Sequence, residues 1–93
     1  MTYIFLANGF EEIEALTTVD MLRRAGIQIK MVSLISEKMV YGSHGIGVEA
    51  DIIFEECNFD NCQMLIVPGG YEGVENICNH FECRAVLRKF AES

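Results

Sequence analysis

The chain has 93 residues, half of them apolar and nearly a quarter charged, a balance that suits one small globular domain and not a disordered segment. Its 14 acidic and 7 basic residues leave a formal charge of −7 with no basic cluster, which argues against nucleic acid or an anionic membrane as partner. No run approaches the ~18 consecutive apolar residues of a membrane span, and "MTYIFLANGFEE" lacks the basic n-region of a leader, so a cytoplasmic protein is expected.

"TYIFLA" (Thr2 to Ala7) is β-branched and aromatic with little alternation, the pattern of a central strand. "NGF" turns the chain, and "EEIEALTTVDMLRRAG" has helical spacing. Ala15, Val19 and Leu22 form one apolar stripe, widened by Leu16. Glu11, Glu12 and Glu14 complement the positive N-terminus of that helix, Arg23 and Arg24 its C-terminus, and Gly26 supplies the stop. "IQIKMVSL" (Ile27 to Leu34) predicts a second, less buried strand, completing a right-handed βαβ unit.

"KMVYGSHGIGVEA" places two short β-like pieces around "GSHG" and predicts a hairpin projecting from the sheet. Asp51 to Asn61 reads as a short helix or turn. Met64 to Val67, in "QMLIVPGG", is an unbroken apolar run that predicts a third parallel strand buried on both faces. "YEGVENICNH" reads as a short helix or loop. "FECRAVLRKFAE" is a clearer helix, with Phe81, Ala85 and Leu87 to Phe90 as its apolar contacts.

The expected architecture is therefore α/β, a doubly wound parallel sheet in the order β-α-β-hairpin-β-α. It is unfinished, because a buried third strand needs neighbours that 93 residues do not supply, and an apolar edge strand invites aggregation.

Ligands of such sheets bind at the carboxyl ends of the strands, where "ANGFEEIE" and "PGGYEG" arrive. Neither is a phosphate loop. Gly69 and Gly70 could aim backbone N–H groups at an oxyanion, or simply form a tight strand-to-helix turn. Glu14 could serve as an acid or base, or belong to a dipole-compensating surface triplet with Glu11 and Glu12. His44, between glycines, reads as an exposed turn residue. The spacings of Cys57, Cys62, Cys78 and Cys83 fit neither a zinc site nor a redox C-x-x-C, so free thiols are expected, with Cys62 and Cys78 as packing residues. None of the four sits at a strand-to-helix elbow, the usual place of a nucleophile.

"ANGFEEIEALTTVDMLRRAG", then a second strand, then "GVEAD", then "LIVPGGYEGVENI", closely resembles the ThiJ/PfpI family of the class I glutamine-amidotransferase-like superfamily, over essentially all 93 residues. The resemblance implies a flavodoxin-like sandwich, frequent homodimers, and a reactive cysteine at an elbow just beyond the helix that closes this chain. It assigns Glu14 to the glutamate that hydrogen-bonds the thiol, and Gly69 and Gly70 to the oxyanion turn. It implies no metal and no organic cofactor, a small electrophilic carbonyl or acyl substrate, and glyoxalase, deglycase or peptidase-like chemistry. Residues 1–93 would then be the N-terminal half of one domain, cut from a longer chain, completed by a second chain, or a truncated relative. A redox sensor or chaperone on the same scaffold is the alternative.

Overall fold

A computed structural model of the chain describes residues 1–92. Strands β1 (Thr2–Leu6), β2 (Ile29–Ser33), β5 (Ile52–Ile53) and β6 (Met64–Ile66) form one parallel sheet in the order β5-β2-β1-β6. Strands β3 (Met39–Tyr41) and β4 (Gly47–Glu49) form a separate antiparallel hairpin. The helices are α1 (Glu12–Arg24), α2 (Tyr71–Asn79) and α3 (Phe81–Glu92), and two 3-10 turns, Phe54–Glu56 and Phe59–Asn61, lead into β6. None of these helices is long and apolar enough to cross a membrane.

The central position of β1 follows from its composition. All five of its residues are buried, and they alternate between two cores. Ile4 and Leu6 meet Phe10, Ala15, Val19, Ile29, Met31, Val40 and Ala50 on the α1 side. Tyr3 and Phe5 meet Val32, Phe54, Ile77 and Cys83 on the α2–α3 side, where Phe5, Phe54 and Phe59 have ring centroids 5.5 to 6.2 Å apart. Burying one such side chain stabilises the fold by roughly 1.5–3 kcal/mol, so this strand carries much of the sheet.

Helix α1 begins where the Glu11 carboxylate accepts the Ile13 N–H at 2.8 Å. It ends in a Schellman motif: Ile27 N–H donates to Leu22 O at 3.0 Å, Gly26 N–H to Arg23 O at 3.1 Å, and Gly26 adopts φ +79°. Ala15 and Val19 point inward as the stripe predicts, but Leu16 faces outward and does not widen it. Arg23 ties the helix to the sheet through Asp51 at 2.9 Å, and Asp51 also accepts the Met31 N–H.

Four expectations change. Strand β6 is not buried on both faces: Met64 is 53 % exposed and Val67 39 %, because among the described residues β6 pairs with β1 alone and lies at the sheet edge. The segment Asp51 to Asn61 contains the two-residue strand β5 besides its turns, a piece too short for any period to reveal. In α3, Phe81 is 73 % exposed and Ala85 also faces solvent, while Cys83 supplies the fully buried contact. Cys62 is half-buried, as packing would have it, whereas Cys78 is exposed and does not pack.

Candidate active site

Three loops meet at the carboxyl end of β1. The first is residues 7–11, where Gly9 (φ +90°) lets the chain turn tightly beneath Glu72; a Cβ on Gly9 would come within 2.7 Å of the Glu72 side chain. The second is the double-glycine turn after β6. Its Gly69 carbonyl accepts the Glu11 N–H at 3.0 Å, and Gly73 N–H donates to Gly9 O at 3.1 Å. The third is the hairpin loop 42–46.

Gly70 caps α2 at φ +102°, ψ +117°, a region nearly closed to L side chains. A Cβ there would lie 2.8 Å from Gly9 O and 2.9 Å from Glu11 N, so the backbones of the two loops touch with nothing between them. Among the described residues the N–H groups of Gly69 and Gly70 have no acceptor. They are donors held at a helix N-terminus, where the dipole also favours negative charge.

Glu14 stands beside this turn. It is exposed, in the first turn of α1, and a Cβ on Gly69 would lie 2.7 Å from its Oε1. The fold thus brings together Glu14, Gly69 and Gly70, which are more than fifty positions apart in the chain. A groove of about 600 Å³ opens next to Gly70, lined by Tyr71, Val74, Glu75 and Cys78. Tyr71 is 88 % exposed there.

The residue that sequence reasoning passed over is Glu12. Its side chain is 4 % exposed, and its carboxylate accepts hydrogen bonds from the hairpin loop. The His44 backbone N–H donates at 2.8 Å, Ile46 N–H at 3.3 Å and Ser43 Oγ–H at 3.4 Å, and His44 Nδ1 lies 2.8 Å from Oε1. Burial alone would push this carboxyl up; the His44 hydrogen bond and the backbone N–H groups outweigh it and bring it down to about 2. The same hydrogen bond, with the charge behind it, raises the pKa of His44 above its usual range. His44 is therefore exposed, as expected of a turn residue, but it is also the partner of a buried carboxylate.

A signal for Glu12 does exist in the sequence. Positions 12, 15, 19 and 22 share one helical face, so Glu12 extends the apolar stripe of α1 by one turn. Glu14, two positions on, necessarily points elsewhere. Oxygen and nitrogen atoms of Glu11, Glu12 and His44 lie within 4.8 Å of one another, a spacing that could suit a cation. Internal donors already occupy the Glu12 oxygens, and the Glu11 carboxylate caps α1, so hydrogen bonding accounts for the cluster.

Cys78 is exposed and lines the groove by Gly70, whereas at the other three cysteines burial disfavours the thiolate. Burial first, and neighbouring thiols second, push Cys83 up to about 12; burial does the same to Cys57, up to about 11. Burial likewise raises Cys62.

The sequence profile of the DJ-1/PfpI family matches residues 2–93. The chain belongs to the DJ-1/PfpI family. Protein DJ-1 homolog B of Arabidopsis thaliana is 30 % identical over 88 residues, which are 95 % of this chain and 20 % of that protein. Deglycase PfpI of Pyrococcus furiosus is 34 % identical over 71 residues, 75 % of this chain and 42 % of that one. The solved structure of oxidised Toxoplasma gondii DJ-1 superposes with a TM-score of 0.89 at 30 % identity, covering 95 % of this chain and 48 % of its own. The matched part of this DJ-1/PfpI chain therefore covers less than half the length of each of these relatives, and its flavodoxin-like α/β sheet matches about half of the solved one.

Proposed function

We propose that residues 1–93 are the N-terminal half of a DJ-1/PfpI-type cysteine-dependent enzyme acting on small electrophilic carbonyl or acyl substrates, with its nucleophilic thiol outside this chain. The observation that carries this reading is the Glu14 carboxylate set against Gly69 beside two unpartnered N–H groups. A thiol arriving in the groove by Gly70 would hydrogen-bond to Glu14, which holds it and tunes its ionisation. As the thiolate attacks the substrate carbon, the carbonyl π electrons move to oxygen, and the Gly69 and Gly70 amides donate to the negative charge that develops there. These donors are fixed before the substrate binds, which is where such a turn gains its effect. The deglycase name of the Pyrococcus furiosus relative supports a carbonyl-derived substrate, and neither a metal nor an organic cofactor is needed for the step.

The missing polypeptide, from the same or a second chain, would add at the β6 edge. That edge is apolar and pairs on one side only, whereas the opposite edge tapers into the two-residue β5. Outward Ile13, Met21, Tyr41 and Ile46 support a homodimer through the α1–hairpin side. The test is methylglyoxal turnover by the complete gene product and its Glu14→Ala variant. Turnover should fall by about 10²-fold or more for loss of a group that positions the nucleophile. Unchanged turnover would remove Glu14 from the mechanism, and absence of turnover in the unsubstituted protein would favour a redox-sensing or chaperone role.

A further inference from the structure

Glu12 touches neither Gly69 nor Gly70, yet a continuous set of hydrogen bonds leads from it to them. Its carboxylate gathers Ser43, His44 and Ile46, and Gly42 packs so closely that a Cβ there would overlap the carboxyl group. This fastens the hairpin loop to the first turn of α1. The hairpin in turn holds the 8–11 loop at three points: Gly9 N–H donates to Tyr41 O at 2.9 Å, Tyr41 N–H to Asn8 Oδ1 at 3.1 Å, and Ser43 N–H to Phe10 O at 2.8 Å. The 8–11 loop then holds the glycine turn at two more, through Glu11 N–H to Gly69 O and Gly73 N–H to Gly9 O.

We propose that Glu12 is a positioning residue that sets the Gly69–Gly70 turn through the hairpin and the 8–11 loop. The proposal rests on the reading of Gly69 and Gly70 as oxyanion donors. A buried carboxylate is a costly way to fill a core position unless its acceptors are used, and here both oxygens face hairpin groups: Ser43 Oγ and His44 Nδ1 at Oε1, the His44 and Ile46 N–H groups at Oε2. A methylene side chain at position 12 would fill the space but leave the His44 and Ile46 N–H groups without partners, and the hairpin would lift from α1.

The test uses the complete gene product and its Glu12→Gln variant, with His44→Ala as a milder change at an exposed side chain. Amide hydrogen exchange is followed at Ser43, within the hairpin contact, and at Glu11 and Gly73, the two bonds that reach the glycine turn. Steady-state kcat and KM for methylglyoxal are measured in parallel. The expected result for Glu12→Gln is exchange at least ten-fold faster at Glu11 and Gly73 as well as Ser43, with kcat down ten-fold or more and KM within about two-fold. His44→Ala should show the same pattern at smaller amplitude, and it carries the test if Glu12→Gln fails to fold. Acceleration confined to Ser43, with Glu11, Gly73 and kcat unchanged, would overturn the proposal. If exchange spreads to Glu11 and Gly73 in a protein without turnover, the positioning role stands and the enzymatic reading falls.

Discussion

Replacing Gly70 with alanine isolates the contact on which the proposed oxyanion turn depends. At φ +102° an L side chain costs roughly 1–3 kcal/mol in backbone strain, and the new Cβ must also fit 2.8 Å from Gly9 O and 2.9 Å from Glu11 N. Those are backbone atoms that cannot rotate aside, so crowding adds about 1–3 kcal/mol. The sum centres near 4 kcal/mol, which for a protein of about twice this length lowers the melting temperature by roughly 8–16 °C. Gly26→Ala is the control: Gly26 has φ +79° but nothing within 4 Å of a Cβ, so it carries strain without crowding. Its cost is about 1 kcal/mol, or roughly 2–4 °C. Relief of the clash would move the 69–70 amides away from Glu14, and loss of an oxyanion donor lowers kcat by ~10²–10³. Differential scanning calorimetry of both variants, with methylglyoxal turnover, reads the two effects. If Gly70→Ala melts within about 2 °C of Gly26→Ala and keeps full turnover, the turn is neither tightly packed nor catalytic.

The Glu12–His44 pair predicts a stability profile with two limbs. Glu12 is lowered from 4.5 to about 2 on folding, so its contribution is complete above pH 4.5 and fades as pH falls toward about 2; His44 is raised from 6.5, so its contribution is complete below pH 6.5 and fades as pH rises through its folded-state value. Thermal melts across pH 2–9 should therefore show the alkaline limb in the parent and not in His44→Gln, and identical limbs would rule the pair out. Iodoacetamide should label Cys83 only after denaturation, because its thiol is fully buried and pushed up to about 12; labelling in the native protein at the rate of a free thiol would contradict the packing of α3.

The frame of the sheet was legible where local pattern and tertiary packing agree. The β-branched and aromatic run of β1, with little alternation, reads as a central strand and is one, and the 3.6-residue stripe of α1 with its arginines and Gly26 marks both the buried face and the C-terminus. The "GSHG" hairpin announces itself through its glycines. Apolar content misled where burial depends on a neighbour: Met64 to Val67 has the composition of an interior strand, but composition cannot say which strands are present to cover it. Phe81 likewise stays 73 % exposed, with the Arg84 guanidinium 5.8 Å above its ring.

At the site, the glycines and the glutamate triplet drew attention by type, and the family resemblance selected Glu14 from the triplet. Residue type alone does not show how the three glutamates divide their work: Glu11 caps α1, Glu12 is buried beneath the hairpin, and Glu14 faces the glycine turn. The 100° step between successive helical residues separates them, and the stripe shared with Ala15 and Val19 marks Glu12 as the inward one.

The account stands on the placement of the nucleophile beyond this chain, with the acid and the oxyanion donors within it. The direct measurement is methylglyoxal turnover by the complete gene product with Cys57, Cys62, Cys78 and Cys83 replaced one at a time by alanine. Each folded variant should keep turnover within a few-fold of the parent while Glu14→Ala loses it. Abolition of turnover by any one of the four cysteine replacements, in a protein that still melts cooperatively, would contradict the account.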